Sequence, residues 1–449
     1  MQFSPALFTD LYELTMLQAY FEERMRERAV FSLFVRRLPE RRNYLLACGL
    51  DDVLAFLETL HFDQPALDYL ESVGRFSEPF LRHLEQLRFT GDVYAVPEGT
   101  PVFANEPLVE IEAPIDEAQL VEAFVMNQIH LQTVLASKAA RIVDAAQGRQ
   151  IVDFGLRRMH GIDAGLKAAR AFHIAGVHAT SNVAAGQAYG LRVAGTLAHS
   201  YIQAHDDEYD AFSAFTRLYP DTILLVDTYD TLDGVQKVID LARELGPRFR
   251  ISGVRLDSGD LGDLAFKTRR LLDDAGLHQV TIFASGGLNE DEIARLLASG
   301  TPIDGFGVGT DMGVSRDAPS LDIAYKLVEY AGRPRLKLST GKVLLPGPKQ
   351  IFRVERAGIA DHDVLGRRDE DHGGRPLLQQ VMAGGRRRSA GRVTLDEARA
   401  QATRERERLP RRVRGLDPAQ PAYRVDLSPA LASERDALSR EHQHEGTLR

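Results

Sequence analysis

Between residues 150 and 310, the chain alternates short apolar runs with longer stretches of helical periodicity. The runs are rich in Val, Ile, Leu and Phe and recur at intervals of roughly twenty to thirty residues. Near-continuous apolar strands separated by helices are typical of a parallel sheet that helices cover on both faces. The pattern therefore predicts seven strands in an α/β barrel or a doubly wound sheet, at residues 151–154, 173–177, 191–194, 222–227, 251–256, 280–284 and 303–308.

Each predicted strand is followed by a polar turn that is rich in glycine or in charge. The turns read DFGLRR, HATSN, GTLAHS, DTYD, RLDSGD, ASGG and GVGT. In barrels and in doubly wound sheets alike, ligands bind at the carboxyl ends of the parallel strands. We therefore expect the functional site along that edge of the sheet.

The bulk composition limits the classes of function. A chain of 449 residues is too long for one ordinary core, and its net charge of −9 argues against nucleic acid as a partner. Cys48 is the only cysteine, so neither an internal disulfide nor a cysteine-based zinc site is expected. The N-terminus lacks the features of a signal peptide, and no apolar run approaches the ~20 residues of a membrane span. These properties predict a cytoplasmic protein that binds no membrane.

The residues before the alternating region have a different pattern. Residues 8–25 predict a helix with Asp10 as its cap, and Tyr12, Met16 and Tyr20 form a second apolar stripe on it. Such a helix is either buried on both faces within the chain or contacts another subunit. Residues 89–111 alternate like strands between turns and predict a small antiparallel sheet.

The C-terminal segment is predicted to return to the N-terminal domain. Residues 342–358 resemble a hairpin that rejoins the N-terminal sheet, and residues 366–394 resemble a charged loop. Thr394 and Glu397 predict a capping box before a charged helix. The predicted domains are an α+β domain, a barrel carrying the active site, and this returning segment, over residues 1–140, 141–340 and 341–449.

Two consecutive glycine turns predict phosphate binding. Gly286 and Gly287 lie between a strand and a helix, where backbone N–H groups can approach a phosphate. Residues 307–310, which include Gly309 and Thr310, repeat this arrangement one unit later. In several barrels the last two strand ends hold a phosphate. The chain has no P-loop sequence, and no G-x-G-x-x-G sequence opens a helix.

Arginines and aspartates accompany these turns. Arg157, Arg158 and Arg255 lie at strand ends and predict a substrate with more than one anionic group. Carboxylates beside phosphate turns commonly accept sugar hydroxyls or hold Mg²⁺ through water. The candidates are Asp227, Asp230, Asp257 and Asp260, although the last could equally be a plain Asx turn.

The histidines do not predict a metal site. His160, His173, His178, His199 and His205 lack the H-E-x-x-H spacing and have no cysteine partner. A lone histidine such as His199 is more often a structural residue than a catalyst, so its residue type alone assigns it no role.

These motifs, together with FTDLYELTM near the start, resemble those of nicotinate phosphoribosyltransferases. The motifs are DFGLRRMHG, HATSNVAAG, GTLAHS, DTYDT, VRLDSGDL, ASGGLNED and GVGTDM, in order over residues 7–356. The resemblance implies the type II phosphoribosyltransferase architecture, which is an irregular parallel α/β barrel with an N-terminal α+β sandwich domain. It also implies a homodimer with shared active sites. The implied reaction joins nicotinate to phosphoribosyl diphosphate, with ATP as co-substrate and Mg²⁺, and opens NAD synthesis from nicotinate.

The resemblance also implies roles for individual residues. His199 would be the histidine that ATP phosphorylates, with Arg255 and Asp257 as the other catalytic candidates. Nicotinate would contact Thr196, Arg255, Phe154 and Ser181, and Tyr12 of the neighbouring subunit. Phosphoribosyl diphosphate would be bound by Arg157, Asp227, Asp257, Gly286, Gly287, Gly309 and Thr310. No residue is assigned as a direct metal ligand.

Alternative substrates and an inactive protein remain open. The related nicotinamide enzyme has an aspartate where this chain has Ser181, and an aspartate would repel the carboxylate of nicotinate. Nicotinate is therefore expected over nicotinamide, with quinolinate as a third acceptor. A catalytically silent relative that binds nucleotides is the alternative from another class.

Overall fold

The structure is a computed structural model that describes residues 4–338 and 344–447. It divides into two compact units. The first unit comprises Met1–Ser137 and Ser320–Arg449, and the second comprises Lys138–Pro319. The predicted boundary between residues 340 and 341 lies outside the described residues. Within the described part of the chain, no helix is both long and apolar enough to cross a bilayer.

Six α-helices and five strands lie in the described chain up to residue 145, and the last of these helices continues from the first unit into the second. The helices are α1 (Leu11–Glu22), α2 (Leu50–Thr59), α3 (Gln64–Val73), α4 (Glu78–Gln86), α5 (Ile115–Leu120) and α6 (Glu122–Ala145). The strands are β1 (Arg28–Val35), β2 (Leu45–Leu46), β3 (Asp92–Ala95), β4 (Pro101–Val102) and β5 (Pro107–Pro114).

Helix α1 is shorter than the predicted helix over residues 8–25. A 3₁₀ turn at Pro5–Leu7 ends in a non-helical Phe8, and Asp10 then occupies the N-cap position with an extended backbone. Of the second stripe, Tyr12 is 47% exposed, while Met16 and Tyr20 are half-buried. One of the two interpretations required this stripe to be buried within the chain, and it is not.

The second unit is built from alternating strands and helices. The strands are β6 (Gln150–Asp153), β7 (Ala179–Thr180), β8 (Ile223–Leu225), β9 (Gly253–Leu256), β10 (Thr281–Ala284) and β11 (Gly305–Val308). The helices are α7 (Ile162–Ala175), α8 (Val183–Tyr189), α9 (His199–Gln203), α10 (Glu208–Leu218), α11 (Thr231–Leu245), α12 (Leu261–Asp274), α13 (Glu290–Ala298) and α14 (Thr310–Gly313). All six strands are parallel, in the order β7-β6-β11-β10-β9-β8, and they form a curled half-barrel.

Two of the seven predicted strands are wrong. Residues 173–177 form the end of α7 and the turn at Gly176, whose φ of 112° ends the helix. Residues 191–194 contribute only an isolated bridge between Val193 and Thr180. A short apolar run looks the same in sequence whether it belongs to a strand or to a buried helix end, so periodicity alone could not separate them.

Within its described residues, the C-terminal part of the first unit contains eight strands and three α-helices. The strands are β12 (Ile323–Tyr330), β13 (Arg333–Pro334), β14 (Lys349–Arg356), β15 (Ile359–Arg367), β16 (Arg375–Pro376), β17 (Gln379–Ala383), β18 (Arg386–Arg387) and β19 (Arg424–Leu427). The helices are α15 (Leu395–Glu407), α16 (Arg411–Arg414) and α17 (Pro429–Thr447).

The C-terminal segment returns to the N-terminal sheet, but through other strands than predicted. Strands β12, β13, β17 and β18 join β1, β3 and β5 in a seven-stranded sheet, whereas β14 and β15 form a hairpin in a separate four-stranded sheet. The predicted hairpin therefore forms without rejoining the N-terminal sheet, and residues 339–343 around its start lie outside the described residues. The predicted loop over 366–394 is wrong, since it contains β16, β17 and β18. The capping box of Thr394 and Glu397 is confirmed.

Strand β1, which lies between β12 and β5 in the seven-stranded sheet, is buried on both faces. Residues 29–35 of β1 are all buried, and they alternate between two apolar clusters. Phe31 and Leu33 belong to one cluster, and Val30 and Phe34 belong to the other. This is the layered packing expected of a sandwich domain. The predicted fold class, a parallel α/β barrel with a separate α+β domain, is confirmed.

Helix α1 carries a buried carboxyl group, that of Glu13. The Glu13 side chain is fully buried and accepts hydrogen bonds from the Thr9 hydroxyl and from the backbone N–H of Ala123, the latter at 3.1 Å. Burial raises the pKa of the Glu13 carboxyl to about 7, with the Thr9 hydrogen bond opposing the shift and the charge of Glu122 adding to it. Ionisation of this group at neutral pH therefore works against folding.

We predict that Glu13→Gln stabilises the protein at pH 8 but not below pH 4.5. Because the folded-state pKa is raised, the stability that protonated Glu13 contributes is complete below its unfolded pKa and is lost as the pH rises through 7. The neutral amide avoids that loss, so its advantage should grow to about 2 kcal/mol at pH 8. Urea unfolding at both pH values measures it. Glu22→Gln, on the exposed face of the same helix, is the control, and an advantage independent of pH would contradict the prediction.

Candidate active site

The site residues of the second unit follow the carboxyl ends of its strands, and we call this edge the rim. The strand order fixes the order of these residues in space. Asp227 follows β8, and Arg255 and Asp257 lie at the end of β9. Moving from β10 through β11 and β6 to β7, the remaining candidates are Gly286, Gly287, Gly309, Thr310, Phe154, Arg157 and Ser181.

The segment 195–199 spans the open side of the half-barrel. Just before it, Val193 bridges Thr180 beside β7. Further along, Thr196 contacts Arg255 of β9, and the His199 ring lies 3.1 Å from Thr228, which follows β8. The GTLAHS turn therefore connects the rim between its two edge strands, and it carries two of the predicted site residues.

Phe154 provides an aromatic surface on the rim. Its ring lies over β11, where a Cβ at Gly307 would be 2.5 Å from ring atoms, so only glycine fits beneath it. The Phe283 ring lies 6.2 Å away, and the Arg255 guanidinium carbon lies 5.7 Å from the Phe154 centroid. Phe154 and Thr196 also line a cavity of about 450 Å³, which extends away from the rim to the first residues of the strands, such as Ile223, Thr281 and Gly305. The exposed face of the Phe154 ring suits a flat aromatic ligand.

Arg255 places a positive charge beside the Phe154 ring. Its Nη1 donates to Thr196 Oγ1 at 2.6 Å and its Nη2 to the carbonyl oxygen of Leu197 at 3.4 Å. Burial lowers the pKa of Arg255, while the charges of Asp257 and Asp227 oppose that shift. Its buried Nε donates to no group among the described residues. The guanidinium is thus held in place and partly desolvated, which suits an anionic group beside the ring.

The two aspartates of the rim form one hydrogen-bonded unit. Asp227 Oδ2 accepts from the backbone N–H of Asp257 at 2.9 Å and from the Ser258 hydroxyl at 2.6 Å. Asp257 accepts from the hydroxyl of Ser285. Asp227 Oδ1 is buried and has no hydrogen-bond partner in the described part of the chain. A buried oxygen of this kind is available to accept a hydroxyl.

The glycine bend after β10 depends on close contact with Asp257. A Cβ at Gly286 would lie 1.8 Å from the Asp257 carbonyl oxygen, and the φ of Gly286 is +88°. Gly287 has a φ of +65° and open space where a side chain would be. Gly309 lies against the backbone of Phe154, 3.2 Å from a built Cβ to the carbonyl oxygen, and Thr310 then begins α14.

His199 lies at the start of α9 and is half-buried. The contact of its Nδ1 with Thr228 Oγ1 is a hydrogen bond whose donor depends on the tautomer of the ring. Thr228 directly follows Asp227, so His199, Asp227, Asp257 and Gly286 form a continuous series of contacts along the rim. Arg157 lies exposed in a 3₁₀ turn, and its charge contributes to the lowered pKa of Arg255.

Tyr12 and Ser181 are the remaining predicted nicotinate contacts. Tyr12 belongs to α1 of the first unit. Ser181 is half-buried beyond β7, and its backbone N–H donates to the Asp153 carbonyl oxygen at 2.9 Å. Ser181 therefore lies next to Asp153, the residue before Phe154.

Two aspartates that sequence reasoning put forward are structural. Asp230 caps α11 and Asp260 caps α12, each accepting two backbone N–H groups. The Asx-turn interpretation of Asp260 is thereby supported. These two carboxylates hold the backbone at the starts of α11 and α12.

Sequence reasoning missed several residues that support the rim. Asp153 is buried and accepts from the backbone of Gly155 and the hydroxyl of Thr180, and burial raises the pKa of its carboxyl. Thr228 and Ser285 contact His199 and Asp257. Their signal was present, because each lies inside a polar turn, but sequence alone does not show which neighbour a turn residue contacts.

The described residues do not form a protein-only metal cage. Within residues 4–338 and 344–447, no group of three or more His, Cys, Asp or Glu is arranged to hold an ion. Asp257 and the unpartnered oxygen of Asp227 nevertheless provide carboxylates at the rim. Mg²⁺ is commonly bound by one or two carboxylates together with substrate phosphates and water. The rim therefore fits Mg²⁺ that arrives with a phosphorylated substrate.

Comparison with known families gives two matches that together cover most of the chain. Residues 7–130 match the family model of the nicotinate phosphoribosyltransferase N-terminal domain. Residues 135–326 match that of the quinolinate phosphoribosyl transferase C-terminal domain.

Individual relatives agree with these matches. The chain is 56% identical to a nicotinate phosphoribosyltransferase of Mycobacterium tuberculosis over 429 residues, which cover 96% of this chain and 93% of the relative. It is 42% identical to the nicotinate phosphoribosyltransferase of Bacillus subtilis over 359 residues, covering 78% and 73%.

Solved structures show the same fold. Human nicotinic acid phosphoribosyltransferase superposes with a TM-score of 0.85 at 29% identity, covering 96% of this chain and 99% of the other. A nicotinate-nucleotide pyrophosphorylase from Pyrococcus furiosus shares the fold with a TM-score of 0.73 at 24% identity, covering 90% and 95%. With this rim geometry and these relatives, the chain belongs to the nicotinate phosphoribosyltransferase family.

Proposed function

We propose that the protein transfers the phosphoribosyl group of phosphoribosyl diphosphate to nicotinate and so forms nicotinate mononucleotide and diphosphate for NAD synthesis. The observation that carries this proposal is the pairing of Arg255 with Phe154 beside the aspartates and the glycine bend. One part of the rim suits an aromatic anion, and the adjoining part suits a sugar phosphate.

Nicotinate would lie on Phe154 with its carboxylate towards Arg255 and Thr196. Stacking on one aromatic ring contributes about 0.5–1.5 kcal/mol beyond area burial. The guanidinium supplies charge-assisted hydrogen bonds to the carboxylate, which fixes the direction of the ring nitrogen. This pose leaves Ser181 near the carboxylate edge of the ligand, where a hydroxyl is compatible with the negative charge.

Phosphoribosyl diphosphate would occupy the other half of the rim. Asp257 and the free oxygen of Asp227 would accept the ribose hydroxyls, and Arg157 would contact phosphate. Backbone N–H groups at Gly286, Gly287 and Gly309, with the Thr310 hydroxyl, would hold the 5′-phosphate. Bound Mg²⁺ would neutralise charge on the diphosphate, with Asp227 and Asp257 as the carboxylates that fit it.

The glycosyl step needs alignment more than acid–base catalysis. The pyridine nitrogen carries a free lone pair and forms a bond to C1′ of the ribose while the C1′–oxygen bond to diphosphate breaks. The transition state has oxocarbenium character, as in glycoside cleavage. Carboxylates fixed beside the ribose, such as Asp257 in its hydrogen bond with Ser285, stabilise that positive charge.

ATP would act through His199. A ring nitrogen forms a bond to the γ-phosphorus of ATP while the bond from that phosphorus to the ADP oxygen breaks, which leaves a phosphohistidine. The contact between His199 and Thr228, next to Asp227, supports coupling to the sugar-phosphate half of the rim. Water later hydrolyses the phosphohistidine and returns the free imidazole.

We also propose a homodimer in the cytoplasm. The exposed aromatic ring of Tyr12 on α1 would complete the nicotinate site of the neighbouring subunit, so that the ring is held from both sides. The single cysteine, Cys48, is buried, and the chain needs no oxidising compartment.

We predict that the purified protein, with nicotinate, phosphoribosyl diphosphate, ATP and Mg²⁺, forms nicotinate mononucleotide. His199→Asn should abolish ATP stimulation and the acid-labile phosphate that ATP leaves on the protein, because the nucleophilic imidazole is gone. Product chromatography and labelled ATP measure both. His205→Asn is the matched control, since His205 is a half-buried histidine that bonds the Tyr201 carbonyl oxygen in the same region.

The same assay separates the alternatives. Turnover with nicotinamide or quinolinate in preference to nicotinate would contradict the assigned acceptor. Binding of nucleotides without any turnover would indicate the catalytically silent relative.

Ser181→Asp should discriminate against nicotinate through charge alone. A second carboxylate beside that of the ligand should lower kcat/KM for nicotinate by at least about ten-fold. Ser181→Asn, which is similar in size and uncharged, should lower it much less. Equal losses in the two variants would show that size, and not charge, matters at this position.

Subunit mixing tests the shared site. Tyr12→Ala and His199→Asn are each expected to lose ATP-stimulated turnover alone. If Tyr12 acts across the dimer, random mixing gives heterodimers with one intact site and recovers about a quarter of the wild-type rate. Mixtures with no more activity than the separate variants would rule out the shared site.

A further inference from the structure

Lys138 is a buried lysine in the second unit whose ammonium pairs with three carboxylates. Its side chain is only 2% exposed, and its ammonium lies 2.6 Å from Glu290, 2.6 Å from Asp311 and 2.9 Å from Asp317. Burial lowers the pKa of Lys138, but Glu290 and hydrogen bonds to these carboxylates raise it overall. The ammonium therefore stays charged and links three carboxylates.

Glu290 is held by a second cation. Arg141 Nε donates to Glu290 Oε1 at 2.9 Å, and the Glu290 side chain is 1% exposed. Burial alone would raise the pKa of Glu290, yet Lys138 and Arg141 bring it below its ordinary value. We call Lys138, Arg141, Glu290, Asp311 and Asp317 the Lys138 cluster.

The partners of Lys138 directly follow the two glycine turns. Glu290 is the first residue of α13, three positions after Gly287, and Asp311 immediately follows Thr310 in α14. Strands β10 and β11, which lead into these turns, are adjacent and parallel. One ammonium therefore joins the chain just beyond both turns.

Backbone contacts hold one side of each turn, Gly286 against the Asp257 carbonyl oxygen and Gly309 against Phe154, but these contacts do not join the two turns to each other. Gly286 and Gly287 carry no side chains and have positive φ, and no atom of another element lies within 4 Å of a Cβ built at Gly287. The Gly286–Gly287 bend is therefore held by its contact with Asp257 and by the residues that flank it. The Lys138 cluster provides such a connection from behind the rim.

We propose that Lys138 is a positioning residue that sets the separation of the Gly286–Gly287 and Gly309–Thr310 turns, and thereby the affinity for the phosphate-bearing substrate. This inference rests on the proposed function in one respect, namely that these turns bind that substrate. It assigns Lys138 no contact with either substrate.

Charge accounting gives the direction of the effect. The cluster has two cations and three carboxylates, so it carries one excess negative charge. Removal of Lys138 would leave three carboxylates against Arg141 alone. Their mutual repulsion would separate the two helix starts, and the added negative potential would oppose an anionic ligand nearby.

The test compares how a substitution at Lys138 changes the KM for each of the two substrates. In Lys138→Gln, KM for phosphoribosyl diphosphate should rise about ten-fold or more, while KM for nicotinate stays within about two-fold. Lys138→Arg keeps the charge and should recover part of the loss. Adding Asp311→Asn to Lys138→Gln should also recover part of it, because one repelling carboxylate is removed.

Lys237→Gln is the matched control. Lys237 pairs with the buried Glu208 at 2.9 Å in the same unit, on helices that carry no glycine turn. It should change neither constant. If Lys138→Gln does not fold, Asp311→Asn and Asp317→Asn each remove one arm of the cluster and should raise the same constant to a smaller extent.

The outcomes separate this inference from the proposed function. An active wild type, with both constants unchanged in Lys138→Gln, would overturn the inference alone. Equal rises in both constants, matched by Lys237→Gln, would reduce Lys138 to a general stabilising role. A wild type that neither turns over nor binds phosphoribosyl diphosphate by calorimetry would overturn both.

Discussion

The contact between the carbonyl oxygen of Asp257 and the Gly286 bend determines how the rim is built. Strands β9 and β10 run parallel and in register, with Leu256 opposite Ala284, so the residues after them emerge side by side. The carbonyl oxygen lies where a Cβ at residue 286 would be, which requires glycine at that position. This contact places an aspartate next to exposed backbone N–H groups. A ligand that carries both hydroxyls and phosphate can bind the two at once.

Positive and negative charges occupy separate places on the rim and behind it. Arg255 lies beside the Phe154 ring, and the linked pair Asp227 and Asp257 lies on the adjoining strand ends. Behind the glycine turns, the Lys138 cluster contains buried charges that are paired with each other. Buried pairs of this kind add little net stability, but removing one partner leaves an uncompensated charge. In this protein they join the two chain segments that directly follow the glycine turns.

The sequence predicted the α/β class, five of the barrel strands and the polar turns that follow them, because apolar strands and glycine-rich turns have strong local signatures. It did not separate the end of α7 from a strand, since His173 to Val177 has the same apolar character in either state. It also assigned the return to the N-terminal sheet to the hairpin of β14 and β15, whereas β12 and β17 make it. Pairing between distant strands depends on the whole sheet, and no local pattern specifies it.

The sequence by itself determined which chemical groups are available: arginine, paired aspartates, glycine turns and a histidine in polar turns, with a single cysteine and a negative net charge. Only the tertiary structure decided which of them meet. The order β7-β6-β11-β10-β9-β8 differs from the order in sequence, and it brings Thr196 to Arg255 and His199 to Thr228 across the open side of the sheet. The same packing assigned Asp230 and Asp260 to helix caps and left Asp227 with an unpartnered buried oxygen. The physical reason is that a side chain's partners are set by which strands lie adjacent, and adjacency is a property of the folded sheet as a whole.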